Sequence, residues 1–257
     1  MCRGGSMIQN EKKDHILMLL RKLQTDRTLE KAEFVELIKN RALIEDELFQ
    51  ISKEIHVENF HRKVYVRGLI EISSYCGNDC YYCGIRRSNR SAKRYRLSAD
   101  EIYEQVRFGT KLGFKSFVLQ GGEDPGFSDK TLIEVIKEIK RINPQTAITL
   151  SVGEKPFETL KAYKEAGADR FLLRHETRDK EHYYKLHPRD MDQDFRLHML
   201  EDLKKLGFQT GSGIMVGSPY QTEENLAEDL LFLRKLNPEM IGIGPFVPAS
   251  GTPFENE

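Results

Sequence analysis

The sequence predicts an α/β fold of parallel strands, a barrel or part of one, behind a helical preface. Three observations carry that prediction. Short runs rich in β-branched and apolar residues recur from Lys63 onward and alternate with helical segments at about 30-residue intervals, the signature of repeated βα units. The joints repeat too: "KLGF" stands at Lys111 to Phe114 and again at Lys205 to Phe208, and "KEAGAD" at Lys164 to Asp169. Each is a helix end, a glycine suited to the left-handed cap, and then a strand. The first 60 residues, by contrast, are densely charged and lack strand-like runs. With 39% hydrophobic residues in 257 there is material for one large core, so the expected division is a helical preface over 1–60 and an α/β core over 61–257.

Taken in order, the preface carries Ile16, Leu19 and Leu20 at helical spacing. The strands expected are "KVYVRGLIEISS", "FKSFVLQ", "TAITLSV", "RFLLRHE", "GSGIMVG" and "MIGIGPFV". Ser98 with Glu101 matches a capping box ahead of Ile102 and Val106, and Thr222 precedes a helix carrying Leu226, Leu230 and Leu233. After the sixth strand only "ASGTPFENE" follows, with no helix to cover it. A bare parallel strand is a poor end for a finished domain, and the expectation is a chain truncated before about two more βα units. The opening "MCRGGSM" reads as a possible upstream start ahead of Met7, which gives Cys2 little weight.

Forty basic and forty acidic side chains leave no net field to attract nucleic acid or a membrane surface. No apolar run is long enough to span a bilayer, and no signal peptide precedes the preface. The chain is therefore expected in the cytoplasm, with a small molecule or another protein as partner. There thiols stay reduced, and clustered cysteines more often bind metal than pair as disulfides.

Chemistry concentrates in "SSYCGNDCYYCGIRR", directly after the first strand, where Cys76, Cys80 and Cys83 have the spacing C-x3-C-x2-C. In a barrel, loops after strand C-termini carry the reactive groups. A zinc site usually shows two C-x2-C pairs or a Cys/His pair downstream, and no such second pair exists here. Three thiolates can instead hold a cubane iron-sulfur cluster with its fourth iron open. Downstream, Gly121 and Gly122 in "QGGEDP" lack a Cβ and so let a ligand approach the backbone, although a plain turn reads the same way. In "LLRHET" the alternation sends Arg174 and Glu176 to one face and His175 to the other, as a site or as a structural ion pair. His175, His182 and His187 are expected to be structural or surface residues.

The thiol spacing, Tyr82 just before Cys83, and the position after the first strand resemble the radical SAM superfamily. The resemblance implies a 4Fe-4S cluster on Cys76, Cys80 and Cys83, with S-adenosylmethionine (SAM) chelated by the open iron. Tyr82 then walls the adenine pocket, or simply packs. The "GGE" loop of Gly121, Gly122 and Glu123 receives the methionine ammonium. Glu176 binds the ribose hydroxyls, Arg174 and Arg196 bind the methionine carboxylate, and Met215 lies on the adenine-binding strand.

The segments "RYRLS", "RFLLRHET", "KLHP", "MVGSPYQT" and "GIGPFVP" narrow the resemblance to the HydE family of FeFe-hydrogenase maturases, in a branch shared with methylornithine synthase and biotin synthase, from Val64 to Asn256. Thr149, Ser151 and Gln120 fall where that family lines its cavity with polar groups; Gly121 departs from it where some members carry serine. The implied reaction is reductive cleavage of SAM to a 5'-deoxyadenosyl radical acting on an organometallic iron substrate. The implied partners are an electron donor such as ferredoxin or flavodoxin and other hydrogenase maturases. Two rival readings are a methylornithine-synthase-like mutase and a non-catalytic thiolate metal-binding protein.

Overall fold

The computed structural model describes residues 4–257; Cys2 and the first residues of "MCRGGSM" lie outside it. The chain divides into two compact units. One runs to Tyr65 and takes in Gln221–Lys235; the other holds Val66–Tyr220 and Leu236–Glu257.

The first unit is helical: α1 (Gly4–Asp26), α2 (Lys31–Lys39), a 3-10 turn at Arg41–Leu43, α3 (Glu45–Phe60), and α9 (Glu223–Leu236) from much later in the chain. The apolar spacing read in the preface becomes its core, where Ile16, Leu19 and Leu20 pack with Leu29, Phe34, Leu37, Ile44 and Ala227. Lys39 bonds Glu224 at 2.9 Å, and Lys31 pairs with Glu228. Thr222 caps α9 reciprocally: its hydroxyl accepts from Asn225 N while the Asn225 side chain accepts from Thr222 N.

The second unit is the βα array, with all the strands parallel and in chain order: β1 (Gly68–Ser73), β2 (Ser116–Gly121), β3 (Ala147–Ser151), β4 (Arg170–Leu172), β5 (Gln209–Val216) and β6 (Met240–Pro245). Between them lie α4 (Ala99–Lys111), α5 (Asp129–Ile142), α6 (Phe157–Ala166), and the pair α7 (Lys180–Leu186) and α8 (Gln193–Lys205). Gly113, Gly167 and Gly207, at the three repeated joints, all take positive φ, which is why glycine ends those helices. Ser98 and Glu101 form the expected capping box at α4.

Register divides the sheet into two faces, because side chains alternate along each strand and paired residues of parallel neighbours share a side. Phe117, Leu119, Ile148, Leu150 and Phe171 share the fully buried face. Gln120 pairs with Ser151 and Val118 with Thr149 on the other face, which the strand ends open toward a cavity. On β6 the outer side chains Ile241 and Ile243 are exposed. The fourth strand is shorter than "RFLLRHE" implied: it ends at Leu172, and the chain continues with single bonds from Leu173 N to Gly211 O and from Glu176 N to Gly213 O. Among the described residues no helix is long and apolar enough to cross a membrane.

Candidate active site

The loop after β1 is tied down before any ligand is considered. The Arg94 guanidinium donates to four backbone carbonyls, those of Ser74, Ile85, Arg86 and Asn89. Arg86 donates to Asp79 at 2.8 Å, and Asp79 also accepts from Ser88 N and its hydroxyl. Gly77 N donates to Glu123 O at 2.8 Å, which joins the thiol loop to the "GGE" loop. Gly122 is required there: a Cβ on it would stand 2.6 Å from that of Cys76. Asp124 anchors the same loop from below, accepting from Ser73 at 2.6 Å and twice from Arg96.

Cys76, Cys80 and Cys83 are free thiols, half-buried on this loop. Burial pushes the Cys80 thiol up to about 12 against the pull of the Arg196 charge, and burial raises Cys76 and Cys83 as well. Neutral, desolvated soft donors become thiolates when a cationic partner displaces their protons. Among the described residues no three His, Cys, Asp or Glu side chains gather around one ion-sized point. Three such thiols on one pre-tied loop, with Gly122 keeping the neighbouring backbone close, fit an iron-sulfur cluster.

Beside the loop, at the C-terminal ends of β2, β3 and β4, lies a polar cavity of about 330 Å³. Its lining includes Gln120, Gly121, Ser151, Arg174, Glu176 and Arg196, so five of the residues expected in the site meet in one space, together with Gln120. Thr149 lies deeper on β3, with a buried hydroxyl that has no hydrogen-bond partner in the protein. Glu123 is placed differently: its carboxylate accepts from Glu154 N at 2.8 Å and packs where a Cβ on Gly153 would be. Met215 and Tyr82 come together in a small apolar cluster with Leu186, Phe254, Tyr81 and Phe246.

Two features carry the electrostatics of the cavity. Arg196 is buried, its Nε lies 2.7 Å from Glu154 Oε1, and its Nη1 donates to Arg174 O at 2.9 Å. Burial works against its charge, but Glu154, with smaller help from Tyr183, Tyr82 and Glu176, outweighs that and holds it above the ordinary guanidinium value. Burial in turn raises the Glu154 carboxyl, against Arg196. Glu176, nearly buried, sits at φ +64, a conformation that costs a side-chain-bearing residue energy and that surrounding contacts must enforce. Its charge is felt at Cys80, Cys83 and Tyr82.

Sequence reasoning gave no role to five contributors. Glu154 lies in none of the quoted segments, and Arg94, although it opens "RYRLS", looks like surface as one arginine among eighty charges. Gly242 and Gly244 on β6 make room for Arg174, whose Nε would lie 3.3 Å from a Cβ on Gly242. His187, expected as structural or surface, is fully buried and bonded to Tyr82.

Comparison with known proteins places this geometry. The family model described as the radical SAM superfamily matches residues 70–233. The chain belongs to the radical SAM superfamily. These enzymes use a 4Fe-4S cluster and SAM. It is 44% identical over 235 residues to the [FeFe] hydrogenase maturase subunit HydE of Thermotoga maritima, covering 89% of this chain and 67% of that one. It is 29% identical over 214 residues to 3-methylornithine synthase of Methanosarcina acetivorans, covering 82% of this chain and 59% of the synthase. Among solved structures, methylornithine synthase (PylB) superposes with a TM-score of 0.84 at 27% identity, covering 93% of this chain and 71% of that one. The maturase HydG from Carboxydothermus hydrogenoformans, at 22% identity and a TM-score of 0.80 over 98% of this chain and 61% of its own, shares the fold. The chain thus spans roughly three fifths to two thirds of the length of these two curated relatives.

Proposed function

We propose that this is a HydE-type radical SAM enzyme that serves assembly of the diiron subcluster of FeFe-hydrogenase. The observation that carries the reading is the juxtaposition of the pre-tied thiol loop with a cavity holding Arg174, Glu176, Arg196 and Ser151, in a chain 44% identical to a HydE maturase. When bound, the cluster and SAM supply reductive cleavage of the sulfonium C–S bond, giving methionine and a 5'-deoxyadenosyl radical. The protein's part is to bind, orient and exclude water. Cys76, Cys80 and Cys83 would hold the cluster. The Gly121–Glu123 loop would receive the methionine ammonium, and Arg174 with Arg196 its carboxylate. Glu176 would accept from the ribose hydroxyls, and Tyr82 and Met215 would flank the adenine. Thr149, Ser151 and Gln120 would face the substrate, for which we propose an organometallic iron complex carrying CO, cyanide and cysteine. The electron donor would be a ferredoxin or flavodoxin, and other hydrogenase maturases would act alongside, in the cytoplasm.

The test is anaerobic reconstitution with iron and sulfide followed by complementation of hydrogenase maturation in a host lacking its own HydE. About four irons per chain, a SAM-responsive electron paramagnetic resonance signal and restored hydrogenase activity are expected. A cluster that cleaves SAM but restores no hydrogenase, while forming methylornithine, would replace the maturase reading with the synthase one, the alternative favoured by the likeness to PylB.

A further inference from the structure

We infer that His187 is a positioning residue for Tyr82, and through it sets one wall of the cofactor slot. The inference rests on the reading of Tyr82 as that wall. The His187 imidazole is fully buried, stacked on Tyr183 with ring centroids 4.1 Å apart, and its Nδ1 lies 2.9 Å from the Tyr183 carbonyl oxygen. A carbonyl only accepts, so Nδ1 carries the proton and Nε2 is left as an acceptor. Tyr82 Oη lies 3.1 Å from that Nε2 and must be the donor. The two rings meet edge-on, centroids 5.3 Å apart at 89°. The tautomer of a buried histidine thus dictates the direction of the Tyr82 hydroxyl and locks the rotation of its ring.

The surroundings show what the lock is for. One residue earlier on each side, Tyr81 N donates to Leu186 O at 2.9 Å, and Cys80 Sγ lies 3.8 Å from Met191 Sδ. The segment Cys80 to Cys83 is therefore docked along the end of α7 and the turn after it. Tyr82 also packs on the cluster that contains Met215 of β5. Phenylalanine would fill the same space; tyrosine adds a hydroxyl whose anchor on His187 fixes the ring, and Tyr82 stands in the chain between the thiols Cys80 and Cys83.

The test uses Tyr82→Phe, His187→Phe, the double variant and His187→Gln, whose side-chain oxygen can take the place of Nε2. Before iron is added, the protein labelled with 15N-histidine should show His187 neutral and protonated at Nδ1, with an Nε2 resonance that moves in Tyr82→Phe. A resonance unmoved by Tyr82→Phe overturns the proposal whether or not any cofactor binds. After reconstitution, Tyr82→Phe and His187→Phe should each keep a full cluster, weaken SAM about five- to tenfold, and be non-additive in the double variant, with His187→Gln recovering most of the loss. Additive losses, or full SAM affinity in Tyr82→Phe, also overturn it. The Tyr82→Phe arm decides alone should His187→Phe fail to fold. Wild-type protein that binds neither cluster nor SAM would sink the proposed function instead, with the resonance experiment still standing.

Discussion

Replacing Arg94 by Met should loosen the thiol loop without unfolding the molecule. The guanidinium reaches four carbonyls at once, among them Ile85 O at 2.8 Å, Arg86 O at 2.6 Å and Asn89 O at 3.1 Å. A hydrogen bond from a charged donor contributes roughly 1.5 to 3 kcal/mol net. The four are not additive, because they share one group and Arg94 is only half-buried, so water can reach some of the freed carbonyls. Two bonds' worth at the lower end of that range, about 3 to 4 kcal/mol, is the expectation, and it falls on local opening of the loop. Amide hydrogen exchange across residues 76–92, measured before iron is added, should then accelerate about 100- to 1000-fold, while exchange in β2 and β3 stays unchanged. Arg94→Lys keeps the charge but not the fork and should lie between the two. Cluster content after reconstitution should fall in the same order. Exchange within threefold of wild type in Arg94→Met would refute the argument and leave Asp79 and Arg86 as the holders of the loop.

Three further outcomes are expected. Changing Cys76, Cys80 or Cys83 to Ala should abolish the 4Fe-4S signal, since no spare thiol lies on the loop; a full, SAM-responsive cluster in Cys83→Ala would show the ligand set to be wrong. Glu176→Ala should weaken SAM about ten- to a hundredfold, roughly 1.5 to 3 kcal/mol, with the cluster retained. Glu176→Gly should lose the same affinity while matching or exceeding wild-type thermal stability, because glycine relieves the positive φ; unchanged SAM affinity in both would reduce Glu176 to a structural role. Burial alone would raise Asp124, but bonds from Arg96, Ser73 and Gly126 bring it down to about 2, below its unfolded value of 3.8. Its folded pKa being the lower, it contributes about 2.5 kcal/mol that is complete above pH 5 and lost as pH falls through 3.8 toward 2. Urea unfolding of Asp124→Asn across that range should show a flatter acid limb than wild type; parallel limbs would remove Asp124 from the acid response.

The fold was legible because each of its rules is local. A glycine after a helix, as at Gly113, Gly167 and Gly207, announces the joint in the sequence itself, and a run such as "FKSFVLQ" can bury its large side chains only as a strand. Cys76, Cys80 and Cys83 were legible for the same reason, lying within eight residues. The end of β4 was not. Nothing in "RFLLRHE" shows that the regular ladder stops at Leu172 and gives way to single bonds to β5, or that Glu176 beyond it takes a left-handed backbone that surrounding contacts must enforce.

What sequence could not give is which charges oppose one another. Arg174 and Arg196 read as an equivalent pair, yet the structure separates them. Arg196 is buried and already faces Glu154 at 2.7 Å, whereas the Arg174 guanidinium lies over the glycines of β6, at the open side of the cavity. On the proposed reading a ligand carboxylate meets Arg174 as an available charge, and Arg196 as one already paired with Glu154. A buried pair of this kind contributes little attraction outward but fixes geometry: Arg196 Nη1, steered by Glu154 at Nε, holds the Arg174 carbonyl at 2.9 Å and with it the turn that leads to Glu176. Glu154 thereby bears on the backbone two residues before the strained glutamate, although it stands 22 residues earlier than Glu176 and carries no motif of its own. Its role comes from folding β3 beside β4, and a linear reading contains no trace of that adjacency.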